Sequence, residues 1–178
     1  LELGSGKGEY TIAHSEKYPD KNFIGIATTR VRMLIEAKGL RQNNLKNVLF
    51  IRTRIEFINS LFAENEISEI WITFPDPQLK RARKRLTGTM CLERYKKFLK
   101  PDGIINLKTD SKYLHNYTLA LAQQNHLTIN EANNDIYGSG RADEILSIKT
   151  FYEAHYIKRG LEITYLSFMT DNSTPLKE

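Results

Sequence analysis

Ile70-Trp71-Ile72-Thr73-Phe74-Pro75-Asp76-Pro77-Gln78-Leu79-Lys80-Arg81-Ala82-Arg83-Lys84-Arg85-Leu86 is the most informative run in the chain. Its first four residues read as a buried strand. Two prolines then end that strand, because neither ring nitrogen can donate to a sheet ladder. One carboxylate, Asp76, stands between them. In an open parallel sheet, ligands bind beyond the carboxyl ends of the strands, so Asp76 is a candidate for the reaction centre. Five of the six residues from Lys80 to Arg85 are cationic. An acid at a strand end beside a cationic run suits holding a polyanion against a reaction centre. Taken alone, the cations also read as a solvated basic loop.

Upstream, Leu1-Glu2-Leu3 reads as the end of a first strand, followed by Gly4-Ser5-Gly6-Lys7-Gly8 and a helix from about Glu9 to Tyr18. Glycines let the backbone turn sharply and approach a ligand where a Cβ would clash. The helix start adds free N–H groups and a positive dipole end. The spacing is G-x-G-x-G, where the dinucleotide fingerprint is G-x-G-x-x-G. With Glu2 ahead of it, the loop resembles the first motif of S-adenosylmethionine-dependent methyltransferases. Asn22–Ile26 is the predicted second strand. Folds of this kind place an acid near its end, about 20 residues past the glycines, to bind ribose hydroxyls. Here Ala27 occupies that place, followed by Thr28, which offers one hydrogen bond where a carboxylate would offer two. This departure predicts weaker cofactor binding.

Thr29 to about Arg41 reads as a helix carrying Val31, Leu34, Ile35 and Leu40. Val48–Ile51 reads as a third strand and Glu56–Phe62 as a short helix. Beyond the basic run, Met90–Leu99 reads as a helix burying Leu92, Tyr95, Phe98 and Leu99, with Met90 and Cys91 assigned to the core. Pro101-Asp102-Gly103 reads as a turn, and Ile104–Asp110 as a strand that again ends in an acid. Asp110 reads either as a second site carboxylate or as the cap of the next helix, Lys112–Gln124. A strand near Leu127–Asn130 and a flexible loop over Asn133–Arg141 follow. Thr150-Phe151-Tyr152-Glu153 opens a helix in capping-box spacing, and Leu161–Met169 is a final strand. Alternating strands and helices predict an α/β, Rossmann-like, doubly wound and mostly parallel sheet, with an antiparallel edge strand from the last segment.

At 178 residues the chain reads as one domain over residues 1–178. The 26 basic and 21 acidic residues give a net charge of +5, compatible with a polyanionic partner. The lone Cys91 rules out an intrachain disulfide and disfavours a cysteine-ligated metal, which fits a reducing, cytoplasmic setting. No apolar run approaches the about 20 residues of a membrane helix. The chain starts without Met inside a strand, so a preceding segment is expected.

Together, Leu1–Gly8, Phe74–Leu86, Leu107-Lys108-Thr109-Asp110 and Thr150–Glu153 resemble the bacterial tRNA (guanine-N7-)-methyltransferase family, in order and over nearly the whole chain. The resemblance implies a Rossmann-like fold, S-adenosylmethionine as cofactor, and tRNA, methylated at guanine 46 of the variable loop, as substrate. It implies that Glu2 contacts the cofactor beside Gly4, Gly6, Gly8, Ala27 and Thr28. It also implies that Asp76 is the active-site acid next to the cofactor, and that Lys80, Asp110, Thr150 and Glu153 contact the substrate. Arg81, Arg83 and Arg85 are assigned to phosphates. Gln78-Leu79 replaces the family's usual W-P, and Arg52-Thr53-Arg54 stands where another nucleotide-side acid is expected.

Guanine N7 carries an in-plane lone pair and no proton, so methylation there needs no obligatory base and no metal. Alignment is the main task, and a carboxylate such as Asp76 can stabilise the positive charge that reaches the ring. Tyr113, Tyr137 and Tyr152 are candidates for stacking on a splayed base. Three other readings stand beside this one: a nucleic-acid amino-group methyltransferase, a non-catalytic RNA-binding protein of the same fold, and, more weakly, a nicotinamide dehydrogenase. Amino-group methylation commonly uses an aromatic after D-P, and Gln78-Leu79 supplies none. Either a monomer or a homodimer is compatible with the sequence.

Overall fold

The computed structural model describes residues 1–28, 45–170 and 174–178. The helix expected from Thr29 lies outside the described residues. Seven strands, β1 (Glu2–Leu3), β2 (Phe23–Ala27), β3 (Val48–Arg52), β4 (Ile67–Thr73), β5 (Leu99–Thr109), β6 (Thr128–Asn133) and β7 (Thr164–Met169), form one sheet in the order β3-β2-β1-β4-β5-β7-β6. The ladders from β3 through β5 are parallel. β7 runs antiparallel between β5 and β6, so the edge ladder is antiparallel. The last strand therefore sits one place in from the rim, and β6 takes the rim itself.

Strand alternation explains why both faces are covered. In β4, Ile70 and Ile72 point to one apolar cluster and Trp71 to another. β7 divides likewise, with Leu166 and Phe168 on the first side and Tyr165 on the second. The first cluster packs against helices α2 (Thr89–Tyr95) and α3 (Lys112–Gln124), through Leu92, Tyr95, Leu114 and Leu121. The second packs against α1 (Glu9–Lys17) and α4 (Phe151–Lys158), through Tyr10, Tyr156 and Ile157. No helix among the described residues is long and apolar enough to cross a membrane.

Several boundaries differ from the sequence reading. The Glu56–Phe62 helix is a 3-10 helix over Ile55–Ser60. α2 stops at Tyr95, yet Phe98 and Leu99 are fully buried, with Leu99 already in β5. Pro101-Asp102-Gly103 does not break the strand. It forms a bulge within β5, opposite β4 between Ile67 and Glu69, whose partners are Leu99 and Ile104. A Cβ on Gly103 would meet Leu99 Cγ at 2.5 Å and Lys100 O at 2.8 Å, so only glycine fits that bulge. Met90 is 40% exposed, while Cys91 is buried. The expected loop after Asn133 is pinned rather than free: Ile136 is fully buried, and its N–H donates to Ile163 O.

Candidate active site

β1 lies between β2 and β4, and the chain winds away from it in both directions, so the switch point of the sheet lies between β1 and β4. That is where a crevice opens at the carboxyl edge. The glycine loop leaves β1 there, and the Asp76 loop leaves β4 beside it. Gly4, Gly6 and Gly8 have φ of 76°, 61° and 74°, a region that L side chains enter only at a cost. A Cβ on Gly4 would find nothing within 4 Å, and one on Gly6 only Gly4 O at 3.8 Å. The loop therefore presents bare backbone to open space.

Two cavities share Gly4 and Gly6. One, of about 190 Å³, runs along Ala27, Thr28, Thr53, Ile55, Glu56 and Leu86. The other, of about 320 Å³, runs along Lys7, Phe74, Asp76, Thr150, Tyr152 and Tyr156. The cradle has an apolar slot on one side of the glycines and an acid with aromatic walls on the other. That arrangement fits a nucleoside joined to an amino-acid tail, as in S-adenosylmethionine. A larger cavity, about 490 Å³, lies at the opposite end of β1 and β4, beside Leu1, Ile67 and Glu69, away from the glycine loop.

Asp76 is exposed and Oδ1 accepts from Gln78 N at 2.9 Å, forming an Asx turn. Phe74 and Gln78 both have φ of 48°, an uncommon conformation outside glycine. Strain on both sides of a carboxylate that faces a cavity is the pattern expected of an imposed geometry.

Glu2 is buried and lines neither site cavity. Its Oε2 accepts from Thr11 N at 3.0 Å and from the Thr11 hydroxyl, and Oε1 accepts from Thr73 Oγ1 at 2.6 Å. Burial pushes its pKa up against these bonds. Glu2 ties β1 to the start of α1 and the end of β4, and so holds the glycine loop from beneath.

The basic run divides. Lys80, Arg81, Arg83 and Lys84 are exposed, whereas Arg85 is only 5% exposed. Arg85 donates to Pro77 O at 3.3 Å, Leu79 O at 3.4 Å and Tyr113 Oη at 2.7 Å, and its guanidinium lies 4.3 Å from the Tyr117 ring centroid. Arg85 thus braces the loop behind Asp76 and is turned away from any phosphate. Asp110 is half-buried, and burial raises its pKa. It does not cap α3: Ser111 does, accepting from Leu114 N at 3.2 Å.

Thr150 and Glu153 form a complete capping box at the start of α4. Thr150 lines the Asp76 cavity. Glu153 is fully buried and faces inward, where Lys108 and Tyr137 take its oxygens, so it presents nothing to a substrate. Tyr137 is committed to that bond and Tyr113 to Arg85, which leaves Tyr152 as the one of the three tyrosines on the cavity wall. Sequence reasoning passed over Lys7, Glu56, Phe74 and Tyr156 as wall residues. The glycine motif could have flagged Lys7, and the strand end Phe74. No sequence signal marks Glu56 or Tyr156.

The family described as "Putative methyltransferase" matches residues 1–166. A tRNA (guanine-N(7)-)-methyltransferase from Bacteroides thetaiotaomicron is 49% identical over all of this chain and 71% of its own length. The chain belongs to the tRNA (guanine-N(7)-)-methyltransferase family. A member from Christiangramia forsetii is 52% identical over 94% of this chain and 76% of its own length. A SAM dependent methyltransferase from Aquifex aeolicus has the same fold at a TM-score of 0.67 and 13% identity, over 95% of this chain and 80% of that one. The expected Rossmann-like fold and the S-adenosylmethionine-dependent class agree with these matches.

Proposed function

We propose that this chain methylates N7 of guanine 46 in tRNA, that Asp76 is its active-site acid, and that it works in the cytoplasm as a single catalytic domain. The observation that carries the reading is the placement of Asp76 in one cavity with the glycine loop and the start of α4. Family membership supplies the reaction, methyl transfer to guanine N7 of tRNA.

The bound cofactor supplies an electrophilic methyl group on a sulfonium. Gly4 and Gly6 admit it by leaving room for close backbone approach. Ala27, Ile55 and Leu86 give the apolar slot for adenine, with Glu56 as a carboxylate at its rim. Asp76 has two tasks. It accepts hydrogen bonds from the guanine edge, whose N1–H and amino group are donors, and it offsets the positive charge reaching the ring. Tyr152 and Tyr156 wall the base, and Lys80, Arg81, Arg83 and Lys84 hold phosphates outside the cavity. Thr150 borders the same space, and Asp110 stands at the same edge of the sheet.

Transfer of tritiated methyl to unmodified tRNA, followed by borohydride reduction and aniline cleavage, tests the product and its place. Cleavage at guanine 46, abolished in a tRNA carrying adenine there, is expected. Methylation without aniline-sensitive cleavage would move the reaction to another atom.

A further inference from the structure

Lys108 and Glu153 form an ion pair in which both side chains are 0% exposed. The ammonium lies 2.8 Å from each carboxylate oxygen. It also donates to Leu146 O at 2.6 Å and Ile148 O at 3.0 Å, while Tyr137 Oη donates to Glu153 Oε1 at 2.7 Å. Thr150 N reaches Glu153 Oε2 at 3.4 Å. One carboxylate thus gathers β5, the segment before α4 and the first turn of α4 on one point. The outer side of that turn is also latched to the glycine loop and the start of α1: Lys7 Nζ sits 3.5 Å from the Phe151 ring centroid, and Phe151 N donates to Glu9 Oε2 at 2.8 Å.

Stability alone does not call for this pair. Burying two charges is costly, and well-packed apolar side chains often serve as well or better. What a bidentate, multiply bonded pair adds is direction, and the direction here fixes where Thr150 and Tyr152 stand relative to Asp76. We propose that Lys108 and Glu153 are a positioning pair that sets the guanine-facing wall of the cavity, and that Glu153 itself does not touch tRNA. The inference rests on the proposed function for its substrate and on the geometry for its residues.

The test is a double-mutant cycle of Glu153→Gln, Lys108→Met and the double variant, with two readouts. Glutamine keeps the capping box, while each single variant leaves one buried charge without its partner. Hydrogen exchange over residues 148–156 should rise in both single variants while the sheet stays protected, and should return toward wild type in the double variant. Single-turnover methyl transfer at saturating tRNA should fall about 10²-fold in each single variant, the scale of a 1 Å misplacement. It should recover in part in the double variant, with S-adenosylhomocysteine affinity unchanged throughout. Three results would overturn the proposal: unchanged exchange in the single variants, a rate per folded molecule equal to wild type despite a lower melting temperature, or a tRNA affinity loss that tracks Glu153 alone and persists in the double variant. Lack of methyl transfer by the wild type would remove the proposed function, while the exchange measurement would still decide the positioning.

Discussion

Asp76→Asn separates charge from shape at the centre of the site. Asparagine keeps an Oδ1 acceptor, so the 2.9 Å bond from Gln78 N, which closes the Asx turn, survives. The residue is exposed, and the strained conformations at Phe74 and Gln78 are set by the flanking chain. Loss of stability should therefore stay within about 0.5 kcal/mol, as for an ordinary surface substitution. At this chain length that is a shift of about 1–2 °C in melting temperature. Chemistry should respond very differently. Losing one preorganised electrostatic group costs about 10²–10³-fold in turnover, while tRNA affinity, dominated by phosphate contacts, should change little. Asp76→Ala is the companion. It removes the turn acceptor as well and should add a stability loss of about 1 kcal/mol. Single-turnover methyl transfer and thermal unfolding on the same preparations give both numbers. A well-folded Asp76→Asn protein with near-normal transfer would refute the catalytic assignment and leave Asp76 as a turn residue.

Gly6→Val forces a β-branched residue to φ of 61° and fills the open space beside the loop. Equilibrium dialysis should show cofactor binding abolished while the fold persists. Ala27→Glu should tighten S-adenosylmethionine by about 1–2 kcal/mol in calorimetry, the scale of a charged hydrogen bond, because the buried Ala27 lines the adenosine slot. An unchanged affinity would mean the ribose is held elsewhere. Charge reversal at Arg83 should lower the slope of log tRNA affinity against log salt by about 0.7–0.9. Arg85→Met should instead leave the slope intact and lower the melting temperature, because Arg85 is buried against Pro77, Leu79 and Tyr113. His14, packed among Tyr10, Phe23 and Trp71, has its pKa lowered by burial from 6.5 to about 4. Its neutral form is favoured in the fold, so its contribution is present above about pH 6.5 and is lost as pH falls toward 4, to a total of about 3 kcal/mol. Replacing it with phenylalanine should remove that part of the acid sensitivity in unfolding measured between pH 7 and 4.

Most strands were readable because apolar runs such as Val48–Ile51 and Ile70–Thr73 stand out between polar or turn-forming segments, and two prolines close off the second. The crevice was readable for the same reason: a glycine loop and a proline-flanked acid each follow a strand. What could not be read was the direction in which side chains turn. Five cations in six residues carry no mark that Arg85 alone folds inward onto two carbonyls and two tyrosines. T-x-x-E spacing announces a cap, but only the tertiary structure supplies Lys108 to bury its acid. Pro101-Asp102-Gly103 has turn composition, and pairing of Ile104–Thr109 with both β4 and β7 overrode it. Asp110 and Ser111 are both good caps by type, and the hydrogen bond went to the serine. β7 entered the sheet between two earlier strands, a long-range choice to which local periodicity is blind.

The place of β7 bears on how the protein is made. Among the described residues, β6 has β7 as its one ladder partner, and β5 needs β7 on its outer side. During synthesis both earlier strands leave the ribosome with open edges, a state prone to wrong pairing. They stay so until Thr164–Met169 emerges and slides between them. The α4 wall of the cavity comes from the chain between β6 and β7, so its attachment on the far side is also made late. A nascent chain cut short before Thr164 would carry the glycine loop and Asp76 with β5 open along its outer edge and β6 without its partner. Closing the sheet and anchoring that wall of the cavity therefore both wait on the same last strand.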